Sequence, residues 1–274
     1  MKNLIFNAEK YQLKSCYSEM NQYEFINIAN LRSQFMVNPS TNVEYNVLRI
    51  CAFRILSNVP EDLINKITAD QWVDILPFLD FVFMEVPKFI GNLIPSIKIG
   101  KLGSLRYYGP IGLMDKCTVD EFTRIDTAFV KASNGKDTDQ LAVMLSYMYR
   151  PERKDLAKFR KSSKWNNDIR EEFNAERCKE RLPEIKKLPV QFLVANYLYF
   201  ASVREQRFKI LKYLFAETES KIHMDDRGWA GSMLQLSHSG VFGNFEEQMN
   251  QNWFTVMVEM DRLSEQNIKQ NEAK

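Results

Sequence analysis

TVDEFTRIDTAFVKASNG, from Thr118 to Gly135, contains the clearest helical signal in the chain and sets the expected fold class. Thr118 and Glu121 stand at the spacing of a capping box, in which each side chain accepts a hydrogen bond from the backbone N–H of the other residue. The pair Asn134-Gly135 is typical of a helix end. The apolar residues that follow the cap at helical spacing are Phe122, Ile125, Phe129 and Val130.

Similar patterns occur on both sides of this stretch, so we predict a mainly α, multi-helix globular protein. Thr68 and Gln71 form another potential capping box ahead of a helix. The first 14 residues alternate apolar and polar side chains around Asn7-Ala8-Glu9, which predicts a small N-terminal β-hairpin. Glycines and prolines punctuate short apolar runs near 95–110, where a second short hairpin or a long ordered loop would fit.

The domain organisation follows from these elements and from charge. We expect an N-terminal domain over 1–150 that joins the β-hairpin to a helical part. A charged connecting segment would occupy 151–187, and a C-terminal helical module 188–274. The last range could also pack with the first as one unit.

The composition of the chain excludes few classes of protein. The chain has 274 residues, 45% hydrophobic and 26% charged, which is ordinary for a globular protein with a sizeable core. Its net charge of +2 and pI near 8.2 fall short of the pI above about 9 expected of a general polyanion binder. The four cysteines contain no CxxC pair, which predicts buried free thiols in a reducing compartment.

Two segments bear on membranes and secretion. Leu188–Val203 is an uncharged stretch, but it is shorter than the ~20 apolar residues of a membrane span, and it contains Pro189 and Asn196. A buried core helix is therefore the prediction, with no membrane partner. The opening MKNLIFNAEKYQL has too short an apolar run for a signal peptide.

No catalytic chemistry is evident. Gly231-Ser232 lacks the flanking pattern of a nucleophile elbow, and Gly135-Lys136 is only a fragment of a phosphate-binding loop. His223, Asp225 and Asp226 are close in sequence to His238, but no cysteine or HxxxH accompanies them. We therefore predict no catalytic residue, no metal and no cofactor, and expect Asp225 or Asp226 to cap the helix that carries Trp229.

The range 150–187 differs in charge from the rest of the chain, with 13 Lys or Arg against 8 Asp or Glu. A solvated, partly mobile connection is the main interpretation. The alternatives are an acidic protein partner or, less favoured, nucleic acid, whose phosphates the cations would follow while Phe159 and Trp165 stack on bases. The basic patch in those alternatives consists of Lys158, Arg160, Lys161 and Lys164.

The stretch from Gly228 to Leu263 predicts a helical hairpin with a bulky apolar inner face. Phe245–Leu263, read as one helix, carries an a/d seam, and Gly240-Val241-Phe242-Gly243 would turn the chain between the helices. We expect His238 at a helix end. Most of this face should pack on its own chain, with a partner at the Trp229 end. The predicted partner-binding residues are Trp229, Met233, Phe242, Phe245 and Trp253.

The order of residues in this hairpin resembles the carboxyl end of phage tail assembly chaperones. It is also similar to uncharacterised proteins encoded in tail-gene regions of phages and prophages of Bacteroidetes. Ser237-His238 stands where small residues are more usual in that segment. The residues that carry the resemblance are Trp229, Met233, Leu236, Gly240-Val241-Phe242-Gly243 and the terminal FTVMVEMDRLSE, with looser matches at YSEMNQYEFINIANL, Asp74 to Leu79, Tyr108-Gly109-Pro110, Thr118 to Ala128, Tyr149-Arg150-Pro151 and Ile169 to Asn174.

The resemblance implies a non-enzymatic protein of phage or prophage tail morphogenesis. Its partner would be the tape-measure or tail-tube protein, bound before or during assembly in the cytoplasm of the bacterial host cell. The alternative is a structural virion protein, or an accessory protein that contacts nucleic acid. Self-association stays open.

Overall fold

The computed structural model describes residues 1–6, 8–37, 42–84, 86–89, 91–100, 105–135, 138–215 and 228–272. It is 59% helical, which confirms the predicted mainly α class. The chain forms two compact units. One comprises Met1–Ile94 with Leu188–Ser202, and the other comprises Pro95–Lys187 with Val203–Lys274. These divisions differ from the expected ranges, because 1–150 is divided near residue 94 and part of 188–274 belongs to the first unit.

The first unit begins with the predicted hairpin. Its strands are antiparallel and join at the pair Phe6 and Glu9, and Ala8 in the turn has a positive φ of 69°. Such a φ suits the two-residue turns that match strand twist. The helices and strands of this unit are β1 (Lys2–Phe6), β2 (Glu9–Leu13), α1 (Gln22–Val37), α2 (Asn42–Leu56), α3 (Glu61–Ile64), α4 (Ala69–Ile75) and α5 (Phe81–Met84), with the 3-10 turns Tyr17–Glu19 and Leu76–Leu79.

Aromatic side chains form the centre of the first unit. The rings of Phe25 and Phe89 meet edge to face at 4.9 Å, and Tyr17 lies 5.7 Å from Phe89. Tyr199, from the later part of the sequence, packs 6.1 Å from Phe89. The Ser202 hydroxyl accepts the Phe89 backbone N–H at 3.2 Å. Residues 188–202 therefore complete this core.

The second unit combines a small sheet with helices. Of the two alternatives near 95–110, the short hairpin is the one present, since Ser96 pairs with Tyr108 and Ile99 with Leu105 in antiparallel register. A third short strand adds to it. Helix α10 (Val190–Phe208) begins in the first unit and ends in the second. The other elements of the second unit are β3 (Ser96–Ile99), β4 (Leu105–Tyr108), α6 (Val119–Gly135), α7 (Thr138–Met148), β5 (Arg150–Pro151), α8 (Leu156–Phe159), α9 (Ala175–Ile185), α11 (Trp229–Ser237), α12 (Phe245–Met249) and α13 (Trp253–Glu272).

Helix α6 is the predicted central helix, and its start departs from the predicted cap. The Thr118 hydroxyl accepts the Glu121 backbone N–H at 3.2 Å, as expected. The Glu121 carboxylate accepts hydrogen bonds from Arg150 and Arg170 instead of from the Thr118 backbone N–H. The capping box is thus only half formed here. At Thr68 and Gln71, by contrast, both halves are present.

Helix α10 confirms the predicted core helix at 188–203. Leu198 and Phe200 are buried, and the helix continues without a break to Phe208. The division between the two units falls inside it, after Ser202. No helix among the described residues combines the length and the apolar character that crossing a membrane requires.

The terminal helical hairpin is interrupted where one helix was expected from Phe245 to Leu263. The backbone of residues 251–253 pairs with residues 117–119, at the start of α6, instead of continuing the helix. Val119 N–H donates to the Gln251 carbonyl at 3.0 Å, and Trp253 N–H donates to the Cys117 carbonyl at 3.1 Å. His238 lies at the end of α11, as predicted. The expected caps Asp225 and Asp226, and His223, lie outside the described residues.

Candidate functional site

Four charged side chains meet inside the second unit and form what we term the buried charge cluster: Glu121, Arg150, Asp168 and Arg170. Arg170 donates to Glu121 at 2.9 Å, to Asp168 at 2.8 Å and to the Met148 carbonyl at 2.9 Å. Arg150 donates to the other Glu121 oxygen at 2.8 Å. Two positive and two negative charges thus balance away from water, which is the condition under which buried charges are tolerated.

The cluster affects the pKa of the groups within it. Burial raises the pKa of the Asp168 carboxyl, but the charge and hydrogen bonds of Arg170 outweigh burial and hold that pKa below its usual range. Burial, reinforced by Glu121, raises the pKa of the Cys117 thiol well above its usual range. A protonated, fully buried thiol is a poor nucleophile, so Cys117 is unsuited to catalysis.

The lowered pKa of Asp168 predicts a loss of stability in acid. Below about pH 4 the unfolded state takes up a proton on this carboxyl more readily than the folded state. The stabilising contribution is therefore complete at neutral pH and is lost as pH falls through the folded-state pKa. The difference in unfolding free energy between wild type and Asp168→Asn should be largest at neutral pH and shrink in acid. Urea titrations at a series of pH values would measure it.

The matched control is Asp139→Asn, which removes an exposed carboxylate paired with Lys186. Its difference from wild type should be small at every pH. A difference for Asp168→Asn that stays constant from neutral pH into acid would contradict the prediction.

The cluster also holds together the two ends of a loop. Arg150 and Arg170 lie at those ends. The backbones of Glu152 and Arg170 form an isolated antiparallel β-bridge. Arg153 N–H donates to the Ile169 carbonyl at 2.9 Å, and Glu171 N–H donates to the Pro151 carbonyl at 2.8 Å. The expected partly mobile connection is therefore, over this part, an ordered loop with a closed base.

Beyond that base, residues 153–165 form what we term the basic loop. It has six Lys or Arg and one Asp. The guanidinium of Arg153 lies 3.8 Å from the centre of the Phe159 ring, and Phe159 meets Trp165 edge to face at 5.6 Å. The residues of the predicted basic patch, Lys158, Arg160, Lys161 and Lys164, are all exposed. No ion pair of these four is found within the described part of the chain.

A charged cleft of about 540 Å³ adjoins the base of the basic loop. Part of its charged lining is paired: Glu171 binds Arg177 at 3.2 Å and also binds Arg181, and Asp155 binds Arg153 at 3.0 Å. The whole lining has five acidic and four basic side chains, so the cleft has almost no net charge with which to attract an ionic ligand. We therefore assign it a structural role.

Three of the five predicted partner-binding residues are buried and serve the core of the second unit. Trp253 stacks on Phe122, with ring centres 3.7 Å apart, and donates its indole N–H to the Met114 carbonyl at 2.8 Å. Trp229 donates to Asp126 at 2.8 Å, and Met233 is fully buried. Phe242 is half-buried, and Phe245 is 40% exposed. Of the five predicted residues, only Phe242 and Phe245 are accessible to a partner.

Phe245 belongs to a larger surface feature, a groove of about 1140 Å³ formed by α6, α7, α11 and α12, which we term the apolar groove. Val130 of α6 is 37% exposed in it, although it follows the helical pattern of a core residue. Sequence reasoning missed this surface because the periodicity of α6 does not say which apolar positions lack a covering element. The groove's apolar lining is Ala128, Val130, Val143, Phe215, Trp229, Ala230, Met233, Phe245 and Met249.

Charged side chains surround the apolar groove. Asp126 is buried and accepts from Arg204 at 2.8 Å as well as from Trp229, so its charge is neutralised. Asp120 pairs with Arg124 at 2.6 Å. Lys131 and Glu246 also line the groove and are exposed. The groove thus combines apolar side chains with charged ones, a mixture that is also found in sites that bind protein segments.

These features describe a mainly α protein whose second unit carries the apolar groove and the basic loop. Neither a protein-family model nor any curated protein or solved structure matches the chain.

Proposed function

We propose that this chain is a non-enzymatic assembly chaperone of phage or prophage tail morphogenesis, which holds an apolar helical segment of the tape-measure or tail-tube protein. The observation that carries the proposal is the apolar groove. The resemblance of the terminal hairpin to tail assembly chaperones supports the choice of partner. The place of action would be the cytoplasm of the bacterial host cell, before the tail is complete.

The dimensions and lining of the groove favour a chain segment as its occupant. Its volume of about 1140 Å³ exceeds the ~300–1,000 Å³ of typical small-molecule pockets. An amphipathic helix places apolar side chains at every third or fourth position into such a groove. Met249, which is half-buried in the lining, suits the purpose, because methionine adapts to differently shaped partners. The exposed charges of Lys131 and Glu246 would orient the bound helix.

The proposal predicts that charges placed in the groove abolish partner binding. In the double variant Val130→Lys with Phe245→Lys, two half-exposed apolar contacts become cations, and an apolar helix can no longer dock without burying them. We expect binding to weaken by about tenfold or more, which corresponds to at least ~1.4 kcal/mol. The measurement is co-purification, followed by titration, with the tape-measure and tail-tube proteins encoded by the same genome.

A matched control is Val47→Lys with Val73→Lys, which adds the same charge at positions of the first unit that are 53% and 71% exposed. This variant should bind like wild type. If wild type binds neither tail protein, or if both double variants bind equally well, the chaperone proposal is wrong.

Retention in the particle is the observation that would favour the structural alternative. A chaperone leaves when assembly ends, so the proposal expects the protein in infected or induced cells but not in purified virions. Detection of the chain at constant copy number in purified virions would instead make it a virion component.

A further inference from the structure

The proposed chaperone function makes no use of the basic loop. Its tip carries Lys158, Arg160, Lys161 and Lys164, all exposed and within seven residues of sequence. We infer that this tip contacts the phosphate backbone of nucleic acid, without reading its sequence.

The tip is uniformly positive because residues 156–165 carry four cations and no carboxylate, and three of the carboxylates nearest in sequence are engaged at the base of the loop. Asp155 is held by Arg153 at 3.0 Å. Asp168 belongs to the buried charge cluster, and Glu171 binds Arg177 and Arg181. The cations of the tip therefore face water with their charge uncompensated by these acids. Such a field attracts a polyanion and speeds its association.

The loop also presents these cations in a fixed arrangement. Successive backbone hydrogen bonds close its turns: Phe159 N–H to the Asp155 carbonyl at 2.9 Å, Ser162 N–H to Phe159 at 3.0 Å, and Trp165 N–H to Ser162 at 3.1 Å. The stack of Arg153, Phe159 and Trp165 supports the turns from inside. A preformed loop loses less conformational entropy on binding than a flexible lysine-rich tail.

The side chains at the tip favour nucleic acid over an acidic protein. Protein interfaces need a desolvated apolar or aromatic anchor and are depleted in lysine at their centre. Here Phe159 and Trp165 are half-buried against each other, and no large apolar side chain of the basic loop is exposed. What remains is an array of cations, which is the part of a protein that contacts phosphates.

The same packing argues against recognition of bases. The rings of Phe159 and Trp165 are occupied by internal contacts, so they are not free platforms for stacking. Helix α8 has only four residues, too short to lie along a major groove. Binding should therefore be governed by charge and by salt.

The test is a titration of a short mixed-sequence DNA duplex with the full chain at several salt concentrations. Four phosphate contacts give a slope of about −3.6 for log K against log salt, or about 150-fold weaker binding between 50 and 200 mM salt. Changing Lys158, Arg160, Lys161 and Lys164 together to Gln should remove most of that slope and most of the low-salt affinity.

A charge-matched control separates location from net charge. Changing Lys10, Lys66, Lys88 and Lys116 together to Gln also lowers the formal net charge from +2 to −2, at exposed positions elsewhere. This control should keep the wild-type slope. Circular dichroism would verify that both variants are folded.

Three results would overturn the inference. The first is wild-type protein that does not bind the DNA duplex at low salt. The second is an equal loss of affinity in the two variants. The third is binding of the full chain to a poly-glutamate peptide but not to DNA, which would identify an acidic protein as the partner. The groove variant Val130→Lys with Phe245→Lys should not lower DNA affinity, so failure of the chaperone proposal and failure of this one are distinguishable.

Discussion

Replacing Arg170 with methionine should lower the free energy of unfolding by about 3–5 kcal/mol, the largest effect we expect from an electrostatic change in this chain. The guanidinium is the shared partner of Glu121 and Asp168, both of which are buried. Methionine fills similar space but leaves these two carboxylates with one arginine between them. The excess negative charge then has to be accommodated without water. Urea denaturation at neutral pH, followed by circular dichroism, measures the loss.

The surface pair Lys179 and Glu176 provides the control for this prediction. These side chains are 60% and 74% exposed at a separation of 2.7 Å. Lys179→Met should leave the midpoint of denaturation unchanged, because exposed ion pairs contribute little. Equal effects of the two substitutions would show that the buried charge cluster is not what holds residues 150–170 in place. Arg170→Lys should recover only part of the loss, since an ammonium cannot reproduce the forked contacts of a guanidinium.

Trp253→Ala should lower the free energy of unfolding by about 3–5 kcal/mol, the range for removing a large aromatic side chain from a core. The ring is fully buried and stacked on Phe122. Its indole N–H donates to the Met114 carbonyl, which would lose that partner. The substitution therefore opens a cavity and leaves a polar group unsatisfied. Thermal and urea denaturation would both report it.

Phe245→Ala is the counterpart on the surface of the same hairpin. Because this ring is 40% exposed, its removal should change stability much less than the loss of Trp253. Trp253→Phe should be intermediate, since it keeps a ring but not the N–H donor. If Trp253→Ala weakened partner binding with no loss of stability, Trp253 would be a binding residue after all.

Periodic patterns in the sequence predicted most of the local structure, for physical reasons that apply at short range. The face of α6 with Phe122 and Ile125, the capping box at Thr68 and the core helix predicted over the uncharged stretch 188–203 each depend on residues within a few positions of one another. The N-terminal hairpin followed from alternation, and the hairpin near 95–110 was one of two alternatives that the glycines and prolines there left open. All of these elements are present.

Long-range contacts account for what the sequence did not reveal. Glu121 stands where a capping box needs it, but arginines 29 and 49 residues later compete successfully for its carboxylate. The same arginines turn an apparent connecting segment into a closed loop. The predicted helix 245–263 breaks because residues 251–253 pair with residues 117–119, at the start of α6. In each case the deciding partner is distant in sequence, and no local pattern identifies it.

The first unit takes its last part, Leu188–Ser202, from beyond most of the second. A ribosome adds roughly 5–20 residues per second, so residues 95–187 separate the two parts of this unit by about 5–20 s of synthesis. During that interval Phe89 lacks Tyr199 and Ser202, which later complete its surroundings. The emerging N-terminal part therefore exposes an unfinished apolar surface, and its folding has to wait for a helix that is still being translated.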